Sequence, residues 1–250
     1  MRARNDTETL LTLWEAALGQ PAEARAEALL RASPQSALLQ SGEPVPTLGE
    51  RNARLIELHA CLFGRGIELL SHCPACQAVA QFSADCEALA AQMRPGLAAA
   101  PPHCLQAHGY AVEFRLPGSA DVAQAGAAGG EHGFTQRLLG RCVLACTHEG
   151  HSVAVAQLPE PVLDALSEQM EALDPGASVS FALDCPQCAA RWQAPLDVGE
   201  MLWRKVRAAA ERVLLDIDAL ARAYGWTERE VLRLSPLRRA AYLQMVTAGG

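Results

Sequence analysis

The strongest constraint on this chain is a four-residue element that occurs twice. Cys73-Pro74-Ala75-Cys76 and Cys185-Pro186-Gln187-Cys188 both read CPxC, with 108 residues between Cys76 and Cys185. A shift of 112 positions places Ile67 on Val179, Leu69 on Phe181, each cysteine pair on the other, and Asp85 on Asp197. Apolar residues alternate into each pair. An apolar arm follows each, with Val79 and Phe82 in the first and Trp192 in the second. The pattern predicts a strand, a CPxC turn, a return strand and a helix, twice.

A CPxC between short strands is a metal-binding knuckle. The tight turn points both sulfurs one way, and its N–H groups can donate to them. Each knuckle supplies two ligands, whereas zinc takes four in a tetrahedron. The expectation is one closed zinc site made of Cys73, Cys76, Cys185 and Cys188. Such a site leaves no position for water or substrate and is structural. It would contribute on the order of 10 kcal/mol of coupled binding and folding energy. The rival is thiol redox chemistry of the glutaredoxin kind, where the first Cys sits at a helix N-terminus. Here QAVAQF and AARWQA, after Cys76 and Cys188, read as return strands, with helices beginning about eight or nine residues on.

Composition limits the rest. The chain has 250 residues, half of them apolar, enough to bury a core without cysteine bridges. Few aromatics and an abundance of Ala and Leu favour helix, so the expected fold class is α+β and mostly helical. The net charge of −7 argues against a protein that works by neutralising phosphate. Residues 201–250 nevertheless carry nine Arg or Lys against five Asp or Glu. A locally basic tail of this kind meets an acidic protein surface or is solvated. No apolar run is long enough for a membrane span. The N-terminus begins basic, but Asp6 and Glu8 interrupt it where a signal peptide is apolar. A cytosolic protein is expected, its nine cysteines reduced or on metal.

Three regions follow. Residues 1–48 read as two short helices, the second opened by Pro21, and then a proline-rich loop. Residues 49–197 hold the zinc-ribbon-like core. In it come a helix over 49–63, the first knuckle, and a helix from an Asp85 N-cap to about Met93. A linker over 94–108, a strand over 110–116, a small helix from Ser119 or Asp121 and a loop over 125–133 come next. Helices around 134–146 and over 160–173 and the second knuckle complete the core. Residues 198–250 begin with the longest helix, ended by Gly225. Thr227 and Glu230 form a capping box with Trp226 and Val231 as its staple, and Pro236 starts a last helix. In this tail Val231, Leu232, Leu234, Leu237, Tyr242, Leu243 and Val246 read as one apolar stripe.

Other candidates are weaker. RCVLACTHEGH gathers Cys142, Cys146, His148 and His151, a possible second metal cluster. One helical turn between the two cysteines on an apolar face reads instead as buried thiols. Cys61, Cys86 and Cys104 read as core or near-surface thiols. His72 could neighbour the metal site, although exposed histidines are the plainer expectation for His72 and His103. No phosphate-cradling loop, nucleophile elbow or HExxH occurs.

The ordered combination of CPxC pairs with FRLPGSAD at 114–121, RLLGRC at 137–142, LPEPV…DP over 158–175, and AYGWTEREVLRLSPLRRAAYLQMV near the end resembles the baseplate proteins of contractile injection systems. These are phage-tail-like particles of bacteria. The pattern is also similar to the myovirus baseplate-hub family. The resemblance covers roughly residues 50–250 and does not reach the first 48. It implies a non-enzymatic baseplate component or assembly factor that binds other baseplate, hub or spike proteins. Bottom-up, the alternative is a cytosolic zinc-ribbon adaptor or regulatory protein.

Overall fold

Helix and turn signals become ten α-helices and eight strands among the described residues. The computed structural model describes residues 2–34, 46–94, 102–127 and 133–248. They fall into two units: the described residues of 1–41, 61–64 and 199–250, and those of 42–60 and 65–198.

In the first unit, α1 (Arg2–Leu18) and α2 (Ala22–Ala32) form a helical pair. Pro21 stands at the N-cap of α2 with φ −61°, where its missing N–H costs no helical hydrogen bond. Leu13 and Ala17 of α1 and Leu29 of α2 are fully buried. Helix α8 (Val198–Tyr224) buries Leu202, Val206, Ala210, Val213 and Leu220, spaced to stay on one face. Arg25 of α2 ion-pairs with Glu200 at 3.6 Å and lies 5.3 Å over the Trp203 ring. Gly225 ends α8 at φ 70°, its N–H on the Ala221 carbonyl at 2.8 Å, a conformation glycine adopts without strain.

Helix α9 (Glu228–Leu232) opens with the expected capping box: Glu230 Oε2 accepts from the Thr227 N–H at 2.8 Å, and Thr227 Oγ1 from the Glu230 N–H at 3.4 Å. Trp226 stacks on Tyr224 at 4.8 Å and meets the edge of Tyr242 at 4.8 Å. Helix α10 (Pro236–Ala248) buries Arg239, whose guanidinium donates to Thr7 Oγ1 at 3.4 Å. This overturns part of the expected stripe. Leu237 lies two residues from Arg239, on the far side of the helix, and is exposed.

In the second unit, α3 (Leu48–Phe63) buries Leu55, Ile56, Leu58 and His59. Hairpin β1 (Gly66–His72) and β2 (Val79–Asp85) leads into α4 (Cys86–Met93). Asp85 caps α4, accepting from the N–H groups of Glu87 and Ala88 at 3.0 Å each. A four-stranded antiparallel sheet follows, in the order β3 (His103–Ala107), β4 (Tyr110–Phe114), β5 (Val143–His148) and β6 (His151–Ser152). Between β4 and β5 come α5 (Ser119–Ala127) and α6 (Phe134–Cys142). Helix α7 (Glu160–Leu173) buries Val162, Leu166 and Met170 in one cluster with Leu105, Val112 and Phe114 of the sheet. Hairpin β7 (Val179–Asp184) and β8 (Arg191–Leu196) ends the unit.

A tight joint ties α3 and α4 to the turn after α7. Asp174 Oδ2 accepts from the Gly49 N–H at 3.0 Å, and Asn52 donates to the Gly176 carbonyl at 2.8 Å. A methyl group on Gly176 would meet the Met93 Cβ at 2.6 Å.

Three local expectations are corrected. His103–Ala107 is a strand, not linker, paired with β4 from His103↔Phe114 to Ala107↔Tyr110. Of the rest of the 94–108 stretch, residues 95–101 lie outside the described residues. The helix over 134–146 stops at Cys142, because Val143, Cys146 and Thr147 suit a strand and β4 offers a partner. The loop expected over 125–133 begins later, since α5 runs to Ala127; positions 128–132 lie outside the described residues.

Candidate metal centre

Each knuckle is built by the same local bonds. In the first, the Cys73 N–H donates to the Ala78 carbonyl at 2.9 Å, and the Gln77 N–H to the Cys73 carbonyl at 2.9 Å. In the second, Cys185 donates to Ala190 at 2.9 Å and Ala189 to Cys185 at 3.0 Å. Gln77 (φ 62°) and Ala189 (φ 57°) are both in the left-handed region, which a side chain adopts at a cost of about 1 kcal/mol. The hairpins also match in register: Ile67↔Ala84 has its counterpart in Val179↔Leu196, and His72↔Val79 in Asp184↔Arg191.

The inward faces of the two hairpins meet. Phe82 of β2 packs on Phe181 of β7 at 5.1 Å between ring centroids. The Trp192 indole N–H donates to Ser71 Oγ at 3.2 Å. Beyond these contacts the four sulfurs converge, all within 4.8 Å of one another. Cys73 Sγ lies 3.6 Å from Cys188 Sγ, and Cys76 Sγ lies 3.6 Å from Cys185 Sγ. These two contacts exchange when one hairpin is swapped for the other, as a local twofold axis through the cluster requires. A tetrahedral ion with sulfur at ~2.3 Å has sulfur–sulfur edges of about 3.8 Å. The cluster is therefore sized to hold a metal ion. Cys73 and Cys185 are buried, while Cys76 and Cys188 face solvent.

The electrostatics favour a cation at the centre. N–H groups of Cys188 and Gln187 donate to Cys185, which lowers its thiol to about 6. The Ala190 N–H acts in the same sense on Cys188, yet the neighbouring thiols Cys76 and Cys185 push it up to about 12. Cys76 is likewise raised, against the Ala78 N–H, by Cys185 beside it. The turns thus stabilise negative sulfur at Cys185, and the thiols hydrogen-bonded to it hold on to their protons. A divalent ion takes the place of those protons. An all-sulfur donor set selects soft or borderline metals.

The sequence reading named these four residues, and the structure brings all four together. The other candidates disperse. Cys142 is buried at the end of α6, its thiol pushed up by burial to about 11, and Cys146 is buried in β5. His148 stacks on Tyr110 at 4.2 Å with Nδ1 2.9 Å from the Gly109 carbonyl oxygen, and His151 is exposed. Among the described residues only the four CPxC cysteines are gathered closely enough to share an ion. His72 is exposed as expected, but His103 is buried against Phe114 at 5.4 Å. The alternation His103, Leu105 against Cys104, Gln106 was the signal for that. The Ser71–Trp192 bridge escaped the sequence reading. Ser71 and Trp192 both fall on inward positions of their strands, which alternation alone could have found. The strands β2 and β8, not helices, follow the two knuckles, so neither first cysteine sits at a helix N-terminus.

The fold and site together define a mixed helix-and-sheet protein with small antiparallel sheets and a four-cysteine cluster that could hold a metal ion. Among the described residues no helix is long and apolar enough to cross a membrane. Comparison of the chain with protein-family models, with curated proteins and with solved structures gave no match.

Proposed function

We propose that this chain is a non-enzymatic structural or assembly component of the baseplate of a contractile, phage-tail-like injection particle, stabilised by one structural zinc. The observation that carries the structural half is the shell of four sulfurs, two from each hairpin, within 4.8 Å of one another. Zinc suits a four-thiolate tetrahedron and requires no redox change there. An ion enclosed by four protein ligands has no face for substrate, so its work is to clamp the hairpins. Their shared register and turn bonds support reading them as two halves of one duplicated zinc-ribbon-like core.

The baseplate half rests on the sequence resemblance over roughly residues 50–250. Such a role needs protein partners, namely other baseplate, hub or spike proteins, and assembly in the cytoplasm. The net charge of −7 fits protein partners better than nucleic acid. Co-expression with the spike, hub and wedge genes should yield a stable complex, and deletion of the gene should leave particles without complete baseplates. Failure to co-purify, together with unchanged particles, would remove the assignment. Native mass spectrometry tests the clamp separately and should find one zinc per chain.

A further inference from the structure

Helix α10 carries an apolar face turned to solvent. Leu237 is 85% exposed and Met245 61% exposed. Ala240, Ala241, Gln244 and Ala248 are exposed beside them. At 100° per residue these six side chains fall within an arc of roughly 140°. The opposite side of the helix holds buried Arg239 and half-buried Leu243 and Val246. Leu237 and Met245 stand two turns apart, about 12 Å along the axis. Small Ala241 lies between them. Two large side chains flanking a small one leave a shallow hole into which a side chain of a neighbouring helix fits.

Charge identifies the occupant. From Val231 to Ala248 the sequence has three arginines and no carboxylate. Arg233 faces Glu230, whereas exposed Arg238 borders the Met245 side of the apolar arc. A second copy of this chain bound through the same face would offer Arg238 no carboxylate, because residues 231–248 contain none. An Ala-rich face without aromatic anchors is also a poor wedge for a lipid interface. We infer that this face docks an amphipathic helix of another protein, one whose apolar stripe is flanked by Asp or Glu. The apolar stripe fits beside Leu237 and Met245, and a flanking carboxylate meets Arg238. This surface is independent of the cysteine cluster, so it stands or falls apart from the zinc reading.

The test uses the full chain and a fluorescein-labelled helical peptide with Leu at i, i+4 and i+7 and Glu on both flanks. The control peptide carries Lys in place of each Glu. Fluorescence anisotropy should give saturable binding of the acidic peptide, about tenfold or more tighter than the control and several-fold weaker at high salt. Leu237→Glu or Met245→Glu should weaken it about tenfold. The milder Leu237→Gln should also weaken it, with unchanged circular dichroism excluding misfolding. Arg238→Glu should shrink the preference for the acidic peptide. Equal binding of both peptides, no binding, or binding indifferent to Leu237 and Met245 would overturn the inference. So would self-association in the ultracentrifuge, or flotation with anionic vesicles, that Leu237→Glu abolishes.

Discussion

The sulfur of Cys73, in the first hairpin, lies 3.6 Å from the sulfur of Cys188 in the second. Residues more than a hundred positions apart thus meet in one four-sulfur cluster that could hold a metal ion, and on the zinc reading its integrity should govern the stability of the whole sheet-containing unit. Cys185→Ser removes a buried ligand. It should abolish stoichiometric zinc in native mass spectrometry and destabilise that unit by about 4 kcal/mol or more. Chelation of the unmodified protein should lower its thermal midpoint in the same way. A metal-free sample with an unchanged melt would sink the clamp.

The left-handed residues in the knuckles give a prediction of opposite sign. Gln77 and Ala189 hold φ near +60° with side chains that resist it. Gln77→Gly and Ala189→Gly should each stabilise the metal-bound protein by about 0.5–1 kcal/mol, read from denaturant midpoints. A loss of stability would mean that these side chains make contacts that outweigh the strain.

Two buried carboxylates should respond to pH in opposite directions. Asp121 accepts two hydrogen bonds from Arg115, at 2.7 and 2.8 Å, and one from the Gly118 N–H at 3.0 Å. The Arg115 guanidinium, more than burial opposes, lowers its carboxyl to about 2. Its contribution is therefore present above the unfolded value near 4 and is lost as pH falls toward 2. Asp121→Asn should cost about 2 kcal/mol at neutral pH and progressively less in acid.

Asp174 behaves in the reverse sense. Burial raises its carboxyl, against the Gly49 N–H that favours the charged form. Its ionisation is penalised in the folded state, so stability falls as pH rises through its folded value. Asp174→Asn keeps an oxygen for the Gly49 N–H and should flatten the pH dependence above the ordinary carboxylate range. An unaltered stability-versus-pH curve would show that Asp174 ionises freely.

At the same joint, Gly176→Ala forces a methyl group onto Met93. The neighbours are backbone as well as side chain, so relaxation is limited. A loss of about 1–3 kcal/mol is expected in chemical denaturation. A neutral outcome would mean that the turn after α7 can move away from Met93 at little cost.

Much of this protein is legible in its sequence. Local signals decided local matters. Asp85 before an apolar run, Thr227 three before Glu230, and Gly225 after Tyr224 each act on backbone groups within one turn, and each fixed a helix end. Spacing alone also named Cys73, Cys76, Cys185 and Cys188, because a two-ligand knuckle is incomplete without a second.

What the tertiary structure decided are outcomes that depend on distant partners. Val143–His148 became a strand because β4 lay ready to pair with it, and His103–Ala107 because β4 has a second edge. His103 went inward to meet Phe114, and Leu237 outward because Arg239 took the inner side of α10. The composition of each segment permits either choice, and only the free energy of the assembled neighbours separates them. The cysteine cluster needed both levels. The chain's own spacing set two sulfurs side by side in each turn. The meeting of Phe82 with Phe181 and of Ser71 with Trp192 accompanies the closure of two such pairs into one shell.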